Sequence, residues 1–388
     1  MDLSVFFDPI EPDNSHLREH LNASTWGRNM QINDAEFPDW HYADLILIGC
    51  QETRGSRFPG LAKAAGAVRK RLYALSPPDE GAKVADLGNF KAKDSPEGYY
   101  EMMAYVLEQL FKAGKTVILL GGSQDLTYGQ FLGYEKLEEA IEYVHIDSRF
   151  DVEDADIALH HRSFNHQIFQ QPESWLFEYT NLGYQSYFVG SAERQNLEEQ
   201  HFQAARYGDL FNEIEEVEPA LRTADMISFD FSSVRFTDAP GSTFPSPGGF
   251  SAFEACRLAR YAGLGYKLRS FSLSEYDPTQ DQQEQGALLL AMMLWYFVEG
   301  FYSQSDDIPL TDRSNLRKYA VQLHASVPNI DFYQHPSTGR WWMEVPYPDA
   351  LENPSQNNRL VPCSVKDYEF ARTDNIPERW WKVFNKLS

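Results

Sequence analysis

The feature that most limits what this chain can fold into is an alternation of short apolar runs with helical stretches, sustained up to Val298. "ADLILIGC" (Ala43–Cys50), "KVADLG" (Lys83–Gly88), "KTVILLGG" (Lys115–Gly122), "EEAIEYVHID" (Glu138–Asp147), "QSYFVG" (Gln185–Gly190), "ADMISFDF" (Ala224–Phe231) and "YKLRSFSLSEYDP" (Tyr266–Pro278) read as strands. "LAKAAGAVRKRLYAL" (Leu61–Leu75), "PEGYYEMMAYVLEQLFKAG" (Pro96–Gly114) and "GGFSAFEACRLARYAG" (Gly248–Gly263) carry helical spacing, and an apolar helix runs through Val298. Continuous apolar runs suit parallel strands buried on both faces. Alternation with helices then predicts an α/β fold with a mostly parallel central sheet between helical layers. Ligands of such sheets gather at the carboxyl ends of the strands. Three of the predicted strands finish in polar groups: "GGSQD", "HIDSRFD" and "SFDFSS".

The chain has 388 residues, 43% of them hydrophobic, enough for a sizeable core. Its formal net charge of −23 repels phosphate backbones and anionic membranes, so neither nucleic acid nor a membrane is an expected partner. Cys50, Cys256 and Cys363 show no Cys-x-x-Cys spacing, which predicts reduced thiols, with Cys50 and Cys256 as core filler. "MDLSVFFDPIEPD" has no basic region before an apolar stretch and does not read as a signal peptide. The longest apolar run, "ALLLAMMLWYFV" (Ala287–Val298), falls short of the roughly 20 residues a membrane span takes. The expectation is a soluble, cytoplasmic protein.

The alternation fades after residue 302. "SQSDDIPLTDRSN" (Ser303–Asn315) reads as a polar linker. Residues 303–388 then read as a C-terminal extension to the α/β body of residues 1–302. The extension holds Trp341, Trp342, Trp380 and Trp381, large amphipathic rings that pack on the body or against a protein partner.

The three polar strand ends carry a resemblance. "GGSQDLTYGQFLG" (Gly121–Gly133), "DSRFD" (Asp147–Asp151), "SFDFSSVRFTDAPG" (Ser228–Gly241), "FPSPGGFSAFEA" and "SEYDP" (Ser274–Pro278) occur in the order of the ureohydrolase motifs. The chain resembles the arginases, agmatinases and formimidoylglutamases, nearest the last of these through Tyr128, Phe131 and Phe150. The likeness runs from Ala43 to Val298. It implies an arginase-like three-layer α/β/α fold, hydrolysis of a linear C–N amidine bond by paired manganese ions, and self-association into a homo-oligomer.

The same resemblance places the family's six metal ligands at Gln124, Asp147, Arg149, Asp151, Asp230 and Ser232. Both histidines of the family pattern are replaced here, by Gln124 and Arg149, and one aspartate by Ser232. Arg149 keeps its charge at any ordinary pH. At about 4 Å and an effective dielectric near 20, like unit charges repel by about 4 kcal/mol. A second ion beside Arg149 is therefore not expected. The expectation is a vestigial site without metal, in which Arg149, with Arg235 if it points inward, pairs with the aspartates. The alternative is one divalent cation (Mn, Mg or Ca) on the oxygens of Gln124, Asp147, Asp151 and Asp230, which would bring three aspartates and one arginine to neutrality.

Two functions follow. In the first the chain has lost the dinuclear centre and serves as a non-catalytic binding or assembly component. In the second it is a metal-dependent hydrolase of a linear amidine, with Glu275, which matches the family's substrate-contacting glutamate, holding an amidine or guanidinium group. Glu275 also reads as a solvated or N-capping carboxylate. His160, His161 and His166 read as a polar loop or, less simply, as a metal cluster. Arg149→His combined with Ser232→Asp should move the site toward metal binding, and a titration with Mn2+ checks it: unchanged affinity would refute the placement of these residues.

Overall fold

A computed structural model describes residues 2–78, 81–153, 158–171, 175–304, 313–323, 329–347 and 358–387. Ten strands form the main sheet, in the order β1-β4-β3-β5-β10-β9-β6-β7-β8, with β2 also paired to β4. They are β1 (Phe7–Asp8), β2 (Gln31–Ile32), β3 (Leu45–Gly49), β4 (Val84–Phe90), β5 (Thr116–Leu120), β6 (Ile141–Ile146), β7 (Leu176–Tyr184), β8 (Gln203–Arg206), β9 (Met226–Asp230) and β10 (Ser270–Ser274). Only β1 runs antiparallel, against β4.

Why the strands read as unbroken apolar runs is visible in β3. Leu45 and Leu47 enter one apolar cluster, and Ile46 and Ile48 enter the other. Successive side chains point to opposite faces, and both faces are covered. Helices Ala64–Leu72, Ala252–Gly263 and Gln285–Tyr302 cover the first face, and Pro96–Lys112, Leu126–Glu135 and Phe164–Phe169 cover the second. Helix starts are fixed by local chemistry. Ser95 accepts from the Gly98 N–H with Pro96 at the first helical position. Ser251 and Glu254 form a reciprocal capping box. The body is thus the α/β architecture with a mostly parallel central sheet between helical layers that the alternation predicts.

One reading needs correction. "QSYFVG" is not a strand. The strand lies just before it, in β7, and the Phe188 N–H closes a turn onto the Gln185 carbonyl. β7 escapes a search for apolar runs because it buries Glu178, Thr180 and Asn181. β1, β2 and β8 are missed because two are only two residues long and the third is a half-exposed edge.

The three cysteines are buried and free. Among the described residues no helix is long and apolar enough to cross a membrane.

The C-terminal extension has a regular structure of its own. Strands β11 (Arg317–Val321), β12 (Ile330–Gln334), β13 (Trp341–Val345) and β14 (Arg359–Cys363) form an antiparallel sheet, followed by helices Val365–Ala371 and Glu378–Leu387. Trp341 and Trp380 join its own core, Trp342 is buried under the Arg222 guanidinium, and Trp381 stays half exposed. The sheet seats on the body through charged contacts: Arg222 donates to the Trp341 carbonyl (3.0 Å), Arg359 meets Glu142 (3.1 Å) and Lys386 meets Glu178 (2.6 Å). Most of the predicted linker, residues 305–312, lies outside the described residues.

One polar network ties a helix to the sheet. Arg69, fully buried, donates to both carboxylate oxygens of Asp86 (2.8 Å each), to Asn89 Oδ1 (2.6 Å) and to the Gly88 carbonyl (2.8 Å). The Tyr73 hydroxyl and the Gly88 N–H add donors to Asp86. Removing the arginine leaves a buried carboxylate without its cation, a loss of about 3–5 kcal/mol. Arg69→Met should therefore lower the urea midpoint sharply, and Arg69→Met with Asp86→Leu should recover part of the loss; a single variant as stable as wild type would refute the importance of the pair.

Candidate metal centre

The sheet order sets β5, β10, β9 and β6 side by side, so four polar strand ends meet at one edge. After β5 the chain turns through Gly121 and Gly122, at φ 90° and 78°, a region glycine reaches without strain. A Cβ at Gly122 would stand 2.4 Å from Leu126. That turn delivers Gln124. After β10 comes Glu275, in the left-handed region at φ 62°. Its Oε1 accepts from the Gln124 N–H (2.8 Å) and its Oε2 from the Thr243 hydroxyl (2.6 Å), so Glu275 fixes the loop that carries Gln124. β9 ends at Asp230, whose Oδ1 accepts from the Ser232 N–H (2.5 Å). β6 presents His145 and leads to Asp147, whose Oδ1 accepts from the Arg149 N–H (3.1 Å). Asp151 follows at φ 53°, a conformation aspartate tolerates better than most residues.

Gln124, His145, Asp147, Asp151, Asp230, Ser232 and Glu275 are all buried. Their charges are poorly compensated. Burial raises Asp151 well above the ordinary carboxylate range, with the Asp147 charge adding to it, and burial with the charges of Asp147 and Glu275 does the same to Asp230. Burial pushes Glu275 up to about 7, against the hydrogen bonds from Thr243 and Gln124. Burial also acts to raise Asp147, but contact with His145 outweighs it and holds that carboxyl below its usual value. Three oxygens of the site have no close hydrogen-bond donor, Gln124 Oε1, Asp147 Oδ2 and Asp151 Oδ2, the nearest approach being His145 Nε2 at 3.3 Å from Asp147 Oδ2. Orphaned buried oxygens in an acidic pocket suit a hard divalent cation, and Gln124, Asp147, Asp151 and Asp230 are the oxygen donors that could hold one.

The two arginines do not supply the missing charge. The Arg149 guanidinium lies 4.1 Å from the centre of the Phe188 ring and donates to the Phe188 carbonyl (3.3 Å). Among the described residues no carboxylate pairs with it. Arg235 is exposed and pairs with Asp238 (3.0 Å). The expected arginine–aspartate pairing is therefore corrected. A guanidinium over a ring at the rim keeps part of its hydration, whereas one buried among carboxylates loses all of it.

Glu275 is neither solvated nor a helix cap. His161 stacks on Phe244 and its Nδ1 lies 2.9 Å from the Gly55 carbonyl oxygen, a packing role in the loop. The acid–histidine group that could hold an ion, among the described residues, is His145, Asp147 and Asp151. His145 was absent from the sequence-derived set. The signal was available, since residues two apart on a strand share a face and His145 stands two before Asp147.

This geometry sits on a fold with known relatives. Residues 43–299 match the model of the arginase family. The chain belongs to that family. Its relatives include the formimidoylglutamase of Staphylococcus carnosus, 27% identical over 73% of this chain and 100% of that protein, and that of Staphylococcus epidermidis, 23% identical over 73% and 93%. Among solved structures, Trypanosoma cruzi formiminoglutamase with Mn2+ superposes with a TM-score of 0.63 at 20% identity, covering 68% of this chain and 95% of that one. Bacillus subtilis formimidoylglutamase gives 0.64 at 15% identity, covering 72% and 93%. Within the arginase family the similarity lies with the formimidoylglutamase branch.

The raised carboxyls fix a pH dependence. A folded-state value above the unfolded one means that the folded protein holds the proton more tightly, so stability falls as pH rises between the two. For Glu275 that window runs from the ordinary 4.5 to about 7, worth on the order of 3 kcal/mol. Asp151 and Asp230 act in the same direction, while the lowered Asp147 matters only at more acid pH. Metal-free protein should lose thermal stability between about pH 4.5 and pH 7, and saturating Mn2+ should flatten the part of the slope that Asp151 and Asp230 contribute by replacing their protons. Parallel slopes with and without Mn2+ would exclude these carboxyls from cation binding.

Proposed function

We propose that this protein is a metal-dependent hydrolase of a linear C–N amidine bond, formimidoylglutamase-like, working with one divalent cation rather than two. The observation that carries this reading is the set of orphaned oxygens on Gln124, Asp147 and Asp151, with both arginines turned away. Gln124, Asp147, Asp151 and Asp230 would hold the cation, with manganese suggested by the relatives. When bound, the cation supplies Lewis acidity and lowers the pKa of water.

The remaining work falls to the chain's own groups. Glu275 holds the Gln124 loop through its backbone N–H and keeps the Thr243 hydroxyl in place. Ser228 accepts from Gln124 Nε2 (2.7 Å), which turns the amide so that Oε1 is left for the ion. Once the cation displaces the protons of its ligands, Asp147, Asp151 and Asp230 together exceed the charge of one divalent ion, and that surplus favours a cationic amidinium or guanidinium over a neutral amide. Ser232, where the family pattern has an aspartate, contributes no charge, which supports a single ion.

A second reading, a non-catalytic binding or assembly component, is favoured by the residues at three ligand positions: Gln124, Arg149 and Ser232. One pair of measurements separates the two. Protein purified with Mn2+ should contain about one equivalent by elemental analysis, and should release ammonia, formamide or urea from one of formimidoylglutamate, agmatine and arginine. Asp147→Asn should lose at least about 100-fold in kcat/KM together with the bound metal. Protein that holds no metal and turns over none of the three substrates would establish the non-catalytic reading instead.

A further inference from the structure

His145 is wholly buried against the carboxylates, yet it stands outside the set of oxygen donors. Its Nε2 lies 3.3 Å from Asp147 Oδ2, 3.7 Å from Asp151 Oδ2 and 3.5 Å from Gln124 Nε2. A nitrogen in that position either offers a lone pair to an ion or presents a hydrogen to the oxygens. The groups behind the ring decide which. Asn165 Nδ2 donates to the Phe150 carbonyl (2.7 Å), and this fixes the orientation of the amide. The same nitrogen is 3.1 Å from His145 Nδ1, and the Tyr179 hydroxyl is 3.0 Å from it. A hydrogen on Nδ1 would face the Asn165 amide at 3.1 Å, whereas one on Nε2 meets two aspartate oxygens at 3.3 and 3.7 Å that outweigh the approach of the Gln124 amide at 3.5 Å, so Nδ1 accepts and the ring hydrogen sits on Nε2. Phe164, edge-on to the ring at 5.6 Å, limits its rotation.

We propose that His145 is a positioning residue of the cation site and not a ligand: Asn165 and Tyr179 aim its Nε2–H between Asp147 and Asp151. This rests on the one-cation reading above. The N–H sets a positive edge between two carboxylates that otherwise repel each other, and fixes the oxygens that the ion meets. It does from within strand β6 what the arginine at the next motif position does not do. Partners of this kind behind a metal site, when removed, weaken metal affinity by about 10–100-fold.

Three measurements on the full chain test it. First, 15N NMR of metal-free, histidine-labelled protein should show hydrogen on Nε2 and none on Nδ1; the opposite tautomer overturns the proposal without any mutation. Second, calorimetric titration with Mn2+ should show His145→Ala weakening binding by about 10-fold or more, with His145→Gln, which returns an N–H near the Nε2 position, recovering most of the loss. Equal losses in the two variants would overturn it. Third, pulsed EPR of the Mn2+-loaded wild type should show no coupling to a directly bound imidazole nitrogen; such a coupling makes His145 a ligand. Wild-type protein that takes up no Mn2+ would overturn the cation reading by itself, and the tautomer would still decide between hydrogen and lone pair.

Discussion

Everything at the carboxyl edge of this sheet depends on how several acidic groups are kept together out of water. Parallel pairing of β5, β10, β9 and β6 brings Gln124, Glu275, Asp230 and Asp147 to one place, and Asp151 follows within a turn. Unscreened, neighbouring carboxylates about 4 Å apart repel by about 4 kcal/mol at an effective dielectric near 20. A fold has few ways to bear that. It can protonate some of the groups, as the raised Asp151, Asp230 and Glu275 do here, or surround a cation. Backbone N–H donors to Asp147 and Asp230 relieve one oxygen of each. The oxygens that remain bare include one on Asp147 and one on Asp151, which lie close to each other and to His145.

Arg149 illustrates how a substitution read from sequence can be right in position and wrong in direction. It occupies a ligand position of the family pattern, and by charge alone it is a natural neutraliser. Its backbone is held by Asp147 on one side and by the Asn181 amide on the other, and the side chain leaves over Phe188. Sequence states that a charge is present. It does not state which way four methylene-linked atoms turn at the end of a strand.

Much of the fold was legible because its signals are local. Runs such as Leu45–Gly49 and Met226–Asp230 are apolar throughout because both faces are covered, and the capping box at Ser251 marks a helix start. β7 was illegible for the opposite reason. Its buried polar residues meet distant partners, Glu178 through Lys386 at one oxygen and Asn181 through the Arg149 carbonyl, and nothing in the strand itself announces them. At the site, the family resemblance supplied the candidate oxygen donors. It did not indicate His145, whose importance comes from Asn165 and Tyr179, twenty and more residues away.

The seam between the two sheets has a consequence for the far end of the chain. Lys386, in the helix Glu378–Leu387, is the cation for Glu178, and Glu178 is buried at the start of β7, next to the strand that leads to Asp147. That helix therefore works as a keystone: a chain cut before Lys386 would carry a stranded charge in its central sheet, and damage to the extension would be felt as a fault in the body.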